Sequence, residues 1–407
     1  MSWAKIYSVI CIVCYCYLPA LSQETKARSA AYYFQKGEES LQNKSYKTAL
    51  AHFNECLRLS PYFMEAYYSR ALTREGLGDK QGALTDYNIY LEAKPEDKEA
   101  LFSRAVTRYD FGQWAAAKED FQKLLTMPGG ETNTVYFQSG AGGDGVTRAF
   151  TAQANLTATF LNYLGLTETK LKNFKVAQLH FDSAIHINPT NPDLFLNRGL
   201  TKLLASDSVG ATSDFKQTLI LNPESSLAKH NLAILSTSTS NTFESEKLLT
   251  EAIENDPKLP YSYAERAVVR MKSGNWKGAL TDYTEAIKLD TKEADYWLNR
   301  GIIREQHNDL NGALNDYKQV LTLSPNYEKG WLNHGNALVK LNRMAEAIED
   351  YTAAITFYPD YGLAYYNRSV AYHRLGKKVE ACKDLTQAIT LGMNVEPIMR
   401  AKICVDK

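Results

Sequence analysis

The chain has 407 residues, 44% of them hydrophobic and 23% charged, with Lys+Arg and Asp+Glu equal at 46 each. That balance gives no electrostatic reason to expect nucleic acid or an anionic membrane surface as a partner. Of the six cysteines, the three beyond the first 22 residues, Cys56, Cys382 and Cys404, are too few and too scattered for a disulfide framework or a zinc site.

The first element is a leader. Lys5 supplies a positive start, Ile6 to Leu18 an apolar run, and Ala20-Leu21-Ser22 a small-residue cleavage site before Gln23. The apolar run of 13 residues is too short to anchor in a bilayer. Residues 1–22 therefore read as a signal peptide that is removed, and the mature protein as exported, periplasmic or secreted. The cleavage-site residues have a bacterial look. Cys11, Cys14 and Cys16 leave with this segment. Of the remaining three, Cys56 suits a small core slot, and a Cys382–Cys404 bridge stays open, dependent on an oxidising compartment.

From Ala30 the chain repeats itself. The clearest unit, Trp297 to Pro325, reads as two short helices joined by His307-Asn308-Asp309. Its first helix carries Trp297, Gly301 and Arg304, and its second carries Ala313, Tyr317 and Val320. Pro325 closes the unit, since a residue without an amide hydrogen and with a fixed φ cannot continue the helix. A step of 34 residues forward gives Trp331, Gly335, Ala347, Tyr351, Ala354 and Pro359; a step back gives Tyr263, Ala267, Ala279, Tyr283 and Ala286. Prolines 61 and 95, and then 189, 223, 257, 325 and 359, keep the same step.

This period and these residue types resemble the tetratricopeptide repeat. The resemblance implies an all-α, right-handed α-α superhelical solenoid of about ten helix-turn-helix units, opening near residues 30, 64, 98, 158, 192, 226, 260, 294, 328 and 362. Repeats one to three fill 30–128, repeats four to six 158–259 and repeats seven to ten 260–393; a tail, 394–407, reads as a helical cap on the last face. Residues 129–157 are an insertion leading into the next helix, with an extended stretch from Thr132 to Gln138 and then a glycine-rich run. Two readings of it stay open, a partner-facing loop and a solvated excursion. Gly140-Ala141-Gly142-Gly143-Asp144-Gly145 matches G-x-G-x-x-G, but no parallel second strand follows, so a loop is the better account. In repeat six, Lys229 stands where an aromatic is expected and Ser236 to Thr242 is polar, which predicts a longer turn or a bend.

Arginine occupies position seven of six repeats (Arg70, Arg104, Arg198, Arg266, Arg300, Arg368). Aspartate occupies position 23 of the same six (Asp86, Asp120, Asp214, Asp282, Asp316, Asp384), and repeat nine pairs His334 with Asp350. Repeats one, four and six lack both, with Lys36, Leu164 and Leu232 facing His52, His180 and Leu248. The two positions vary together within a unit, so they predict structural ion pairs between its two helices. A phosphate-binding arginine ladder explains the covarying acids less well. The aromatic series at position four, Tyr33, Tyr67, Phe195, Tyr263, Trp297, Trp331 and Tyr365, is read as packing between helices. The histidines do not gather into a metal cluster; His180 and His186 face different sides of a helix.

In the family the first helix of each unit lines a concave groove. Asn197, Asn231, Asn299, Asn333 and Asn367 recur at position six, where an amide can donate to and accept from an extended peptide. Leu196, Leu298, Leu332 and Tyr366 at position five, with Leu200, Ile302 and Val370 at position nine, would add an apolar wall. Lys329, Asn333 and Asn367 match two steps of the family's carboxylate clamp, but no eleventh repeat supplies the third. Tyr32, Phe34, Tyr68 and Phe102 give the first repeats a more aromatic groove. There is no GxSxG elbow, Walker loop, HExxH or paired-carboxylate motif. The expectation is a non-enzymatic, cofactor-free scaffold for protein or peptide partners, with no nucleic acid and no transmembrane segment. The alternatives are a site built by the insertion around Asp144 and Arg148, or a self-associating structural protein.

Overall fold

The computed structural model describes residues 29–127, 136–139, 146–150, 152–238 and 241–404. The proposed leader, the glycine-rich run 140–145 with Asp144, and residues 239–240 of repeat six lie outside them. The chain divides into two compact units, 1–189 and 190–407, so the division falls inside the stretch 158–259 that the sequence groups as one block.

Unit one begins with three helix hairpins: α1 (Ala30–Gln42) with α2 (Tyr46–Leu59), α3 (Met64–Gly76) with α4 (Lys80–Ala93), and α5 (Lys98–Asp110) with α6 (Trp114–Thr126). Two strands follow, β1 (Tyr136–Ser139) and β2 (Val146–Phe150), paired antiparallel with Tyr136 opposite Phe150 and an irregularity between Phe137 and Ser139. The hairpin α7 (Ala152–Lys170) and α8 (Phe174–Ile187) completes the unit. Helix α7 starts six residues before the expected opening at Ala158 and is 19 residues long, against 13 for the other opening helices.

Unit two holds six hairpins: α9 (Pro192–Leu204) with α10 (Ser208–Leu221), α11 (Ser226–Ser238) with α12 (Thr242–Asn255), α13 (Pro260–Lys272) with α14 (Trp276–Leu289), α15 (Ala294–Gln306) with α16 (Leu310–Leu323), α17 (Glu328–Lys340) with α18 (Met344–Phe357), and α19 (Gly362–Arg374) with α20 (Lys378–Thr390). A short α21 (Pro397–Ile403) lies on the last hairpin, where Ile403 is buried with Ala381 and Leu385. Apart from the longer α7, each opening helix begins at the residue the 34-residue step assigns to it. The α11–α12 connection is no longer than the others in residues, so the polar run of repeat six does not lengthen its turn.

The repeated residues explain the hairpin. Asp309 caps α16 by accepting from the Gly312 amide at 3.0 Å, and a Cβ on Gly312 would collide with that carboxylate. Asn308 takes φ 65° in the turn, a left-handed conformation asparagine tolerates better than most residues. Gly301 lets the Tyr317 ring pass close over α15, since a Cβ there would sit 2.7 Å from Cε1. After α16 the chain leaves the helix: Ser324, before Pro325, has φ −140°, because a residue preceding proline avoids the helical region. Alanine at position 20 (Ala49, Ala83, Ala117, Ala177, Ala211, Ala279, Ala313, Ala347, Ala381) is wholly buried in nine repeats, which allows the two helices their close approach.

Cys382 and Cys404 are joined by a disulfide that ties the C-terminal segment to α20. Cys56 is free and buried. Among the described residues no helix is long and apolar enough to cross a membrane, and no three His, Cys, Asp or Glu side chains come together to hold a metal ion.

Candidate functional site

Each hairpin with arginine at position seven is closed by an ion pair within the repeat. Arg300 donates through Nε to Asp316 Oδ2 at 3.0 Å and through Nη2 to Oδ1 at 2.7 Å. Arg70–Asp86, Arg104–Asp120, Arg198–Asp214, Arg266–Asp282 and Arg368–Asp384 have the same two-pronged geometry. In repeat nine His334 Nδ1 lies 2.6 Å from Asp350 Oδ2. The aspartates are buried, so they need this pairing and supply no free charge to a ligand.

The sequence reading missed a second cation. Arg74, Arg108, Lys202, Arg270 and Arg304, one helical turn beyond the first arginine, reach the same carboxylate at 2.7–2.8 Å. In Arg108 burial lowers the pKa against the pull of Asp120, with the neighbouring Arg104 adding to the lowering. The guanidinium at position seven also crosses to the preceding repeat: Nη1 of Arg70, Arg104, Arg266, Arg300 and Arg368 donates to Asn54, Asn88, Thr250, Thr284 and Thr352. The result is a ladder whose rungs join neighbouring repeats as well as the two helices of one repeat.

The aromatic residues at position four are not closed core. They are half-buried, and Tyr67, Phe195, Tyr263, Trp297 and Tyr365 cover the arginine three residues on, with guanidinium-to-ring distances of 4.9–5.7 Å. Trp297 and Trp331 fix their own rings by donating Nε1 to the carbonyls of Thr291 and Pro325.

The opposite face is made by first helices. Helix α1 touches α3, α11 touches α13, α15 touches α17, and α17 touches α19; second helices make no comparable contact with one another. Within each unit the first helices are thus the more crowded, inner layer. Side chains bridge them: Asn367 on α19 donates to Asn336 Oδ1 on α17 at 2.8 Å, and Lys340 on α17 reaches Glu305 on α15 at 3.0 Å. The buried second-helix tyrosines open onto this layer, Tyr317 donating to Glu305 at 2.7 Å and Tyr351 to Asn336 at 2.8 Å. In unit one Thr107 on α5 hydrogen-bonds Glu75 on α3, and burial raises the pKa of Glu75.

Models of the tetratricopeptide repeat match residues 68–131 and 265–328 and again 30–63 and 363–391, and a TPR repeat model matches 335–376, together rather more than half of the chain. The chain is a tetratricopeptide-repeat protein. A relative, tetratricopeptide repeat protein 16 of Mus musculus, is 31% identical over 121 residues, which are 27% of this chain and 16% of that protein. The alignment thus reaches only a small part of that relative's length. Among solved structures, YrrB, described as a TPR protein with an unusual peptide-binding site, is 18% identical and covers 45% of this chain and 95% of its own, with a TM-score of 0.41. A tetratricopeptide repeat protein from Parabacteroides merdae is 15% identical and covers 61% of this chain and 98% of its own, with a TM-score of 0.43.

On this tetratricopeptide frame the expected groove residues separate. Asn299 and Asn333 are half-buried on the inner layer; Asn299 stands beside the Tyr283 phenol, and Asn333 makes no hydrogen bond among the described residues. Asn367 is engaged with Asn336, and Asn197 is half-buried. Asn231 is buried and donates to Leu227 of its own helix, so it offers no amide to a partner. Lys329 is exposed. Tyr366 packs with Val370 against the C-terminal cluster around Ile403, which withdraws it from an open groove. The apolar wall is also corrected: Leu196, Leu298 and Leu332 are buried, because position five is where one first helix seats on its neighbours. Phe34, Tyr68 and Phe102 are spent likewise on ring contacts, Phe34 with Phe53 and Phe63, Tyr68 with Tyr87 and Tyr90, and Phe102 with Phe121, Phe160 and Tyr163. The polar residues of this layer that the sequence reading missed are Glu305, Asn336 and Lys340. Their signal was the tyrosine at position 24, whose buried hydroxyl requires a polar partner on the first helices.

Proposed function

We propose that this protein is a non-catalytic scaffold that holds an extended segment of a partner protein along the first helices of repeats eight to ten. The observation that carries the reading is the polar layer in which Asn299, Asn333 and Asn367 recur every 34 residues and Glu305, Asn336 and Lys340 bridge neighbouring first helices. Amides and charges at regular intervals suit a peptide backbone, which offers donors and acceptors whatever its side chains. Export to the periplasm or the exterior of a bacterial cell belongs to the same proposal. It is supported by the leader-like residues 1–22 and by the Cys382–Cys404 disulfide, a bond that persists in oxidising compartments.

The test is a pull-down from envelope and secreted fractions with the chain from Gln23 onward. A parallel arm uses Asn299→Ala, Asn333→Ala and Asn367→Ala together, checked for unchanged helicity. A partner held by the first and lost by the second supports the inner face as the binding surface. Retention by both transfers the site to the second-helix side or to the insertion at 129–157. Absence of any partner in both arms counts against the scaffold.

A further inference from the structure

The ladder of arginines has one altered rung. In repeats two, seven, eight and ten the arginine at position seven lies over an aromatic ring and donates to an oxygen at position 25 of the preceding repeat; repeat three makes the same cross-repeat bond with Leu101 in place of the ring. In repeat nine both partners differ. His334 replaces the arginine, and Lys318 replaces the oxygen acceptor. The shorter imidazole is committed to Asp350 and does not cross to repeat eight. Lys318 is exposed and enters no ion pair among the described residues. Among the described residues no cation lies over the ring of Trp331, the aromatic of this rung.

At that place the surface opens into a cleft of about 640 Å³ formed by α16, α17 and Arg343 in the turn before α18. Its walls are Trp331, Leu314 and Leu321 on the apolar side and Asn311, Asn315, Lys318, His334 and Arg343 on the polar side. Arg343 is already held by Glu346, donating through Nε at 2.7 Å and through Nη2 at 2.5 Å, which leaves Lys318 as the lining cation without an acid partner among the described residues. The normal rung supplies its own donor and acceptor. This one presents the unpaired ammonium of Lys318 beside the half-buried Trp331 ring and lacks the acceptor at position 25. The complementary ligand is an anion attached to something flat.

We propose that this cleft binds a small ring-bearing carboxylate, with the ring against Trp331 and the carboxylate on Lys318. The amides of Asn311 and Asn315 meet polar groups on the ring. Stacking on an indole face and charge-assisted hydrogen bonds to a carboxylate are the two interactions that such a lining favours. The site is built from α16, α17 and the turn before α18 and does not depend on a peptide in the inner layer.

The ligand source is distinguished with two acids and their neutral counterparts, glucuronate against glucose and benzoate against benzyl alcohol. Full-length protein labelled with 5-fluorotryptophan is titrated by fluorine NMR, the Trp331 resonance being identified by its loss in Trp331→Phe. The expected result is that one acid moves the Trp331 resonance at least tenfold more tightly than its neutral counterpart. Lys318→Gln then weakens binding severalfold. The decisive variant joins His334→Arg with Lys318→Thr, which rebuilds the ordinary rung, fills the cleft and abolishes binding while the other tryptophan resonances stay in place. Glucuronate alone identifies a sugar-acid site, and benzoate alone an aromatic-acid site. Equal response to acid and neutral probes overturns the proposal, as does unchanged binding in the rebuilt rung. No response of a well-dispersed Trp331 resonance to millimolar acid also overturns it.

Discussion

Repeats six and eight form the same hairpin from unlike interiors. In repeat eight Arg300 and Arg304 grip Asp316, Tyr317 bonds Glu305, and Gly301 makes room for the ring. In repeat six leucine stands at both ion-pair positions, Leu232 and Leu248 pack together, and Leu249 takes the tyrosine's place beside Ala233. Its inter-helix polar ties lie elsewhere: Ser245 Oγ donates to the Ala233 carbonyl at 3.0 Å, Thr237 donates to Ser245 Oγ at 3.0 Å, and Lys229 pairs with Glu251 at 3.0 Å. Helices of the same length and spacing result. The ion pair is therefore one of two ways to close the unit, and the backbone geometry comes from period, turn and close packing at position 20.

The largest effect expected from this comparison is at Arg300. Arg300→Ala leaves a carboxylate that is 1% exposed with Arg304 as its remaining partner. The cost is about 3 kcal/mol, at the lower end for a broken buried pair because that second cation stays. Replacing both residues by leucine, as repeat six has them, is expected to fall within about 1 kcal/mol of the parent, since a buried pair exchanged for packed apolar groups is often neutral. Thr284, which loses a donor in both variants, keeps its own bond to the Leu280 carbonyl. Urea unfolding of the three proteins decides the matter. A double variant as unstable as the single one would mean that repeat eight cannot adopt the interior of repeat six.

Second in size is a pH effect confined to repeat six. His230, at the position that is Leu298 in repeat eight, is buried between Tyr261 and Ser262, with Nδ1 3.2 Å from Ser262 Oγ. Burial lowers its pKa to about 4 from an ordinary value of 6.5. In the unfolded chain the imidazole binds its proton near the ordinary value, and in the folded chain only near the lowered one. Stability is therefore fully present above about pH 6.5 and falls as pH drops toward 4, by roughly 3 kcal/mol over the window. His230→Leu should remove that slope, and the pH 7 and pH 4.5 unfolding midpoints of variant and parent measure it. An equal slope in both would place the titration elsewhere.

The sequence was a good guide to both repeats at the level of elements. The positions of Pro, Gly and the aromatic residues locate every opening helix but α7, because those residues act through local backbone geometry and pair contacts at fixed spacing. It was also informative about Arg300 with Asp316, since covariation between positions seven and 23 reports a contact. The clamp's second cation was not legible. Arg304 looks like any charged residue on a helix surface until the carboxylate's second oxygen is seen to face it. The groove was partly misread for a related reason. Position five is apolar whether it faces a ligand or a neighbouring helix, and only the stacking of first helices shows that Leu298 and Leu332 are covered. Asn231 and Asn333 share a position, but one is buried against its own backbone and the other is not, which depends on the neighbouring repeats.

The smallest effect sharpens the comparison most. Ser245 stands where nine other repeats have a fully buried alanine, so Ser245→Ala gives repeat six the position-20 residue of repeat eight. The hydroxyl's bonds to Ala233 and Asn241 are lost, yet no acceptor is stranded, because Thr237 still donates to the Ala233 carbonyl. A hydrogen bond removed together with both its needs is worth little, and the expected cost is below about 1 kcal/mol. The measurement is the same urea titration at pH 7, with amide exchange at Ala233 and Leu249 as a local readout. A loss above about 2 kcal/mol, or exchange that accelerates only in α11 and α12, would show that hydroxyl bonds carry the repeat where the ion pair is missing. A near-neutral result would instead assign the stability of repeat six to Leu232, Leu248 and Leu249, the residues that fill the volume occupied in repeat eight by arginine, aspartate and tyrosine.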